Sequence, residues 1–159
     1  MLDFLTEPPA EAHAKIVAIH HYWQKAAPGA GLLPGRQHID PLDIPKLLDH
    51  VWMVDVVGEP KRFRIRLIGG QVGRPGSSVK RGDFVDEFLD ATGKEMVLGH
   101  LLACATSGKP VWYRGKGFLP RSREAFELER IFLPLAADGA TVDVLLCLTV
   151  FYRSTGEEW

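Results

Sequence analysis

Two apolar runs dominate the pattern of hydrophobic and polar positions along the chain. Val51–Val57 is apolar at every position except Asp55, and residues 141–152 carry Val, Leu and Phe at both odd and even positions. A strand that is apolar on both faces is covered on both sides of its sheet. We therefore predict that these two segments are strands in the centre of a sheet.

Three further segments are predicted as strands. Residues 63–67 alternate between apolar and charged side chains, which is typical of a strand with one wet face. The five-residue link 58–62 makes this segment the hairpin partner of the first strand. Residues 110–119 and 125–136 supply two more strands, and the Asp-Gly turn at 138–139 leads into the last one.

Helical periodicity is clearest near the N-terminus, over residues 10–25. The apolar positions there form one stripe, Ala12, Ile16, Ile19 and Trp23. Such a stripe would be a costly apolar patch if it were exposed to water. We therefore expect this helix to cover a face of the sheet or to pair with a second copy of the chain.

A second long helix is predicted before the third strand. Thr92 and Glu95 match a capping box, which places the helix cap at Thr92 and the helix end at Thr106. A shorter helix over 84–89 precedes it, and residues 43–50 are predicted as a helical turn. In order, these elements predict an α+β domain with a five-stranded antiparallel sheet, an N-terminal helix, and helices between strands 2 and 3.

Short motifs run through the chain in a fixed order. They are Tyr22-Trp23, Leu33-Pro34, Ile39-Asp40-Pro41, Ile44-Pro45, Leu47-Leu48, the two strands up to Gly69, and then Leu133-Pro134-Leu135, Asp138-Gly139, Val142 and Leu145-Leu146. This series resembles a bacterial family of short PAS-type sensor domains, and it covers most of residues 15–152. The resemblance implies the PAS strand order, with the first and last strands central, and a sensory or interaction module rather than an enzyme. Residues 70–76 depart from the family, which usually has an apolar helical turn there.

Composition narrows the class of protein. The chain has 159 residues, which fits one domain, and a formal net charge of −1 gives no electrostatic case for nucleic acid. No apolar run approaches the ~20 residues of a membrane helix, and the N-terminus lacks the order of a signal peptide. Cys104 and Cys147 are interpreted as buried thiols of a reducing compartment. We therefore expect a cytoplasmic protein with an N-terminal helical extension (1–25), a PAS-like domain (26–153) and a tail (154–159).

Three candidate ligand-binding residues come from the predicted long helix and the third strand. Cys104 lies on the apolar face of the helix, and His100 borders that face one turn earlier. In PAS folds this helix lines the ligand cavity, and in some haem-binding relatives it carries the axial histidine. The resemblance therefore implies that His100 is an iron ligand or a polar contact to a ligand; the alternative is a packed histidine or one at the rim. Tyr113 shares its strand face with Gly115 and Gly117, which would leave space beside its ring for a ligand or a neighbouring backbone.

Two further candidates are charged residues within apolar strands. Asp55 must be paired or protonated if it is buried, and Arg64 or Arg66 on the hairpin partner could pair with it; the alternative is a polar anchor in a pocket. Arg130 interrupts the alternation of its strand, which indicates either a β-bulge or an inward arginine that binds an anion. No residue is assigned a catalytic role, and no spacing of His, Cys, Asp or Glu predicts a metal site. The cofactor, if there is one, is not specified.

These observations predict a sensory or regulatory module that binds a small molecule between the sheet and the long helix. The chain has no predicted output segment of its own, so its signal would pass through a partner protein. The resemblance also implies a homodimer. The alternative is a ligand-free module for protein interaction or dimerisation.

Overall fold

The alternating and continuous apolar segments form one antiparallel sheet in the computed structural model, which describes residues 3–72, 79–89, 91–117, 126–153 and 155–158. The strands are β1 (Val51–Val57), β2 (Arg62–Ile68), β3 (Val111–Gly117), β4 (Phe126–Leu135) and β5 (Val144–Tyr152). Their order across the sheet is β2-β1-β5-β4-β3, so the two continuous apolar strands, β1 and β5, are both internal as predicted. β5 is buried along its whole length.

Both faces of the sheet are covered, and α1 (Ala14–Ala26) covers one of them. Its predicted stripe packs there: Ile16 and Ile19 are fully buried, and the indole Nε1 of Trp23 donates a hydrogen bond of 2.8 Å to the carbonyl oxygen of Pro134. Burial of each isoleucine side chain contributes about 1.5–3 kcal/mol. The helix therefore has the tertiary role that its apolar stripe predicted.

The other face of the sheet packs against the short α2 (Val85–Phe88) and the long α3 (Ala91–Ser107). Leu101 and Cys104 on α3 are fully buried against β1, β4 and β5, as their spacing predicted. The helix begins at Ala91, so Thr92 already lies within it and the predicted cap at Thr92 is wrong. A shift of this size is within the usual uncertainty of helix ends read from local signals.

The segment between α1 and β1 turns through 3₁₀ helices at Arg36–His38, Pro41–Asp43 and Leu48–His50. Asp40 caps the second of these, because its Oδ1 accepts a hydrogen bond of 2.9 Å from the backbone N–H of Leu42. The predicted helical turn over 43–50 is instead a series of short turns, in which Leu47 donates to the carbonyl oxygen of Ile44 and His50 to that of Leu47.

Both ends of the chain return to the sheet. Leu5 pairs with Trp112 on the outer edge of β3 through two backbone hydrogen bonds of 2.9 and 2.7 Å. Glu158 forms an isolated antiparallel bridge with Tyr152 at the end of β5. We call residues 3–5 the N-terminal strap. Within the described residues no helix combines the length and apolar character that crossing a membrane requires.

Candidate functional site

Arg130 lies on the α3 face of the sheet, and its strand is regular. The register of β4 with both β3 and β5 runs without a shift through Arg130, so the predicted bulge is wrong. The alternation fails only because β4 is covered on both sides: Glu129 and Ile131 face α1, whereas Arg130 and Phe132 face α3. The inward arginine, the second of the two alternatives, is the observed one.

The guanidinium of Arg130 is buried, with only 4% of the residue exposed. Its Nη2 donates a hydrogen bond of 2.8 Å to Nδ1 of His100, and its Cζ lies 4.7 Å from the ring centre of Tyr113. Its Nε finds no hydrogen-bond acceptor among the described residues. Burial lowers the pKa of Arg130 to about 10, so the side chain is still a cation at neutral pH.

His100 links this buried cation to the surface. Because its Nδ1 accepts a hydrogen bond from Arg130, its proton is on Nε2, which donates a bond of 2.7 Å to Oδ1 of Asp3. Burial lowers the pKa of His100, and the adjacent guanidinium also disfavours its protonation, although the Asp3 carboxylate opposes both effects. Both ring nitrogens are therefore hydrogen-bonded to protein groups in this arrangement.

The N-terminal strap covers His100 from outside. The ring of Phe4 meets the imidazole edge-on, with 5.2 Å between ring centres, and the hydrogen bond from His100 lowers the pKa of Asp3. An open depression of about 390 Å³ lies at this point on the surface. We call it the His100 depression; its lining residues are Asp3, Phe4, Glu95, Met96, Gly99 and His100.

The space expected beside Tyr113 is filled by Tyr113 itself. Its ring lies over Gly115, where a Cβ would come within 2.6 Å of the phenolic oxygen, and its hydroxyl donates to the carbonyl oxygen of Lys116 at 2.9 Å. Gly115 is therefore required for the close approach of this ring. The ring centre of Tyr113 lies 5.2 Å from that of His100, and the guanidinium of Arg130 stacks over the Tyr113 ring.

Cys104 lies deeper than these residues. It is fully buried in the apolar cluster beneath α3, in the same cluster as Cys147, and both cysteines are free thiols. Burial raises the pKa of both, so each is uncharged at neutral pH. Cys104 does not line the His100 depression.

Asp55 is the candidate that the structure separates from the others. It faces the α1 side of the sheet near its β2 edge, where it accepts hydrogen bonds from Arg66 at 3.0 Å and from Arg64 at 3.4 Å. The predicted ion pair is thus present with both arginines. His100, Tyr113 and Arg130 form one cluster, and Asp55 is on the other face of the sheet.

Glu129 is a buried charge to which the sequence reasoning assigned no role. Its carboxylate is fully buried and accepts hydrogen bonds from the Tyr152 hydroxyl (2.7 Å), the Trp112 indole (2.9 Å) and the backbone N–H of His13 (2.9 Å). The last of these fixes the chain where α1 begins. A glutamate beside an arginine within an apolar strand was the available signal, but the partners come from distant parts of the chain.

Within the described ranges, no three residues among His, Cys, Asp and Glu are grouped as a metal ion would require. His13 is engaged by Glu158 at 2.8 Å and caps α1 by accepting from the backbone N–H of Lys15.

Comparison with known proteins identifies the family. A sequence model of the PAS domain family matches residues 11–149, so the chain belongs to the PAS domain family. The observed strand order and the helices between strands 2 and 3 agree with this assignment. PAS domains in general are sensory or interaction modules and are not generally catalytic. A comparison with curated proteins found no match, and the domain boundaries at residues 25 and 153 stay a prediction.

Proposed function

We propose that this PAS domain is a non-enzymatic sensory module that binds a small molecule at the His100 depression and passes the signal to a partner protein in the cytoplasm. The observation that carries the proposal is Arg130. A buried guanidinium is normally paired with a carboxylate and fully hydrogen-bonded. Here its one described acceptor is a neutral imidazole, and its Nε has none.

A buried donor without an acceptor is uncommon in folded proteins, so its position behind a surface depression calls for an explanation, and a bound ligand is one. His100 extends the polar character of Arg130 to a surface depression, whose other walls are partly apolar. An apolar lining with few fixed polar groups is the usual composition of a small-molecule site. Ligand contacts in this proposal are made by His100, with Arg130 and Tyr113 behind it.

The experiment is a search for a ligand on the intact chain. Native mass spectrometry of the purified protein detects a co-purified molecule, and a thermal-shift screen of small metabolites detects added ones. His100→Ala and Tyr113→Phe should weaken any binding without unfolding the domain, whereas His21→Ala, on the exposed side of α1, should leave it unchanged. Binding that survives loss of His100 would contradict the proposed site.

A second candidate function is protein interaction without a small ligand, through a homodimer formed at a sheet edge. The outer edge of β3 pairs with a single residue, Leu5, in the part of the chain that the structure describes. Unpaired strand edges accept further strands. A mass that rises with protein concentration in sedimentation would favour this function, and a monomer at all concentrations would count against it.

A further inference from the structure

We propose that the His100 depression takes a small monocarboxylate bearing an apolar group, and that the N-terminal strap occupies this site until the ligand displaces it. This inference rests on the function proposed above, since it names the ligand class and the regulation of the same site. Four features of the site carry it: its charge, its hydrogen-bond polarity, its apolar contact and the weak attachment of the strap.

The charge of the site calls for an anion. Arg130 is a buried cation with no carboxylate in direct contact among the described residues, and the carboxylate of Asp3 lies on the far side of His100. Through two hydrogen bonds of 2.8 and 2.7 Å, the Asp3 carboxylate compensates that charge at a distance. If Asp3 leaves, the cation is uncompensated in a medium of low polarity, which is costly. Another carboxylate on His100 restores the balance.

The hydrogen-bond polarity points the same way. Arg130 has only donors, so it forces Nδ1 of His100 to accept and leaves Nε2–H as a donor aimed at the depression. A carboxylate accepts that bond, whereas an ammonium group offers no acceptor. Glu95 is the other ionisable group in the lining, and it is exposed at the rim. Its negative charge disfavours a second carboxylate on the ligand, so a monocarboxylate fits best.

The strap itself shows the apolar part of the ligand. Asp3 supplies the carboxylate, and the next residue, Phe4, places an aromatic ring against the edge of the imidazole. Met96 and Gly99 complete that side of the depression. A ligand that replaces both contacts carries a ring or a branched alkyl group close to its carboxylate.

The strap is attached weakly enough to be displaced. The Asp3 side chain is 57% exposed and Leu5 is 49% exposed. Leu5 is held to β3 by the two backbone hydrogen bonds with Trp112. Phe4 is half-buried against the apolar cluster beneath α3, while the residues on either side of it are exposed. Segments with few buried contacts open at low free-energy cost. Displacement would also free the outer edge of β3, which is a surface that a partner strand can join.

The test measures affinity with three matched probes on the full chain. Sodium phenylacetate carries the carboxylate and the ring, phenylacetamide is its neutral counterpart, and phenethylamine is a cation of similar shape. Isothermal titration should show phenylacetate binding at least about tenfold more tightly than the amide, since only the anion compensates Arg130, and no binding of the amine. Asp3→Asn should tighten phenylacetate binding at least about fivefold, because the competing carboxylate is gone. Glu7→Gln, an exposed acid outside the strap, is the control that should change nothing.

Amide hydrogen exchange tests displacement directly. Saturating phenylacetate should accelerate exchange at the backbone amides of Leu5 and Trp112, which are protected by their mutual hydrogen bonds. Unchanged or weaker phenylacetate binding in Asp3→Asn overturns the competition, and equal affinity for the amide or amine overturns the carboxylate class. If neither the wild type nor Asp3→Asn binds phenylacetate, but another small molecule binds at His100, this inference fails and the proposed function stands. If no small molecule binds either chain, both fail.

Discussion

Glu129 and Arg130 follow one another on β4 and point to opposite faces of the sheet, so one strand offers a comparison of two buried charges. Glu129 accepts three hydrogen bonds, and the guanidinium of Arg114 lies 4.0 Å from its carboxylate. Among the described residues, the guanidinium of Arg130 has one hydrogen-bond acceptor, the neutral imidazole of His100, and its Nε has none. Both residues are almost completely removed from water.

The difference separates two uses of a buried charge. On the α1 face, the donors around Glu129 come from β3, β5 and the residue before α1, so the carboxylate holds three parts of the chain together and its described hydrogen bonds are all to the protein. On the α3 face, the charge of Arg130 reaches an open depression through His100, and the cover is the N-terminal strap. A fully satisfied buried charge is a structural device, whereas a partly satisfied one beside a depression is a candidate binding site.

The largest effect is expected from Glu129→Leu. This change leaves the Tyr152 hydroxyl, the Trp112 indole and one backbone N–H buried without an acceptor, at a cost of about 3 kcal/mol or more in the free energy of unfolding. Urea denaturation followed by circular dichroism measures it. Glu127, half-exposed on the same strand and paired with Arg114 at 2.6 Å, is changed to Leu as the control for composition. A cost below about 1 kcal/mol would show that the carboxylate is not the structural centre of the α1 face.

A smaller effect on stability is expected from Arg130→Met on the opposite face. Replacing an incompletely paired buried ion by an apolar residue of similar length is often neutral or stabilising, so the free energy of unfolding should change by less than about 1.5 kcal/mol. Ligand binding at His100 should nevertheless be lost, because Nδ1 loses its donor and the site loses its positive charge. Destabilisation as large as that of Glu129→Leu would show that Arg130 has the same structural role as Glu129.

Asp55→Ala gives a reference for the stability changes of Glu129→Leu and Arg130→Met, because Asp55 is a charge that is only partly buried. The Asp55 side chain is 19% exposed, and its partners Arg64 and Arg66 are about half exposed. Ion pairs in such positions contribute about 0–1 kcal/mol, so the loss should be in that range. Thermal unfolding at low and high salt measures it, since added salt should shrink the difference. A loss near 3 kcal/mol would place Asp55 with Glu129 instead.

The smallest change expected is a pH effect that belongs to the α3 face. Burial holds the pKa of His100 in the folded protein below its value of about 6.5 in an unfolded chain. The unfolded state therefore binds the proton more readily, and the associated stability is complete above about pH 6.5 and is lost as the pH falls toward the folded-state pKa.

Comparison of wild type with His100→Gln at pH 7.5 and pH 5.5 isolates this contribution, because Gln does not titrate. The wild-type protein should lose more stability between the two values than the variant does. The pKa of His20 is also lowered by burial, so His20→Gln provides a second titrating reference on the α1 side. Equal pH dependence of wild type and His100→Gln would mean that His100 is not held neutral by its surroundings.

The local pattern of apolar and polar residues was sufficient to predict the secondary structure and the buried faces of the clearest elements. The apolar stripe of α1, the two continuous strands and the Asp-Gly turn each depend on residues a few positions apart, and the period of the pattern corresponds to the geometry of the element. For Asp55 the hairpin register brought both candidate arginines within reach, and both are used. The predictions were less accurate for the start of α3 and for the turns over 43–50, because helix ends depend on tertiary neighbours as well as on local signals.

The tertiary structure decided where Arg130 points and what satisfies it. The alternation rule that suggested a bulge assumes one wet face, and it fails on a strand covered by helices on both sides. The Asp3–His100 contact joins residues 97 positions apart, and the donors of Glu129 include a residue 116 positions away. The sequence by itself determined the elements, the strand count and the family resemblance, since these rest on short-range periodicity and motif order. The site depended on long-range packing, which alone sets the partners of a buried charge.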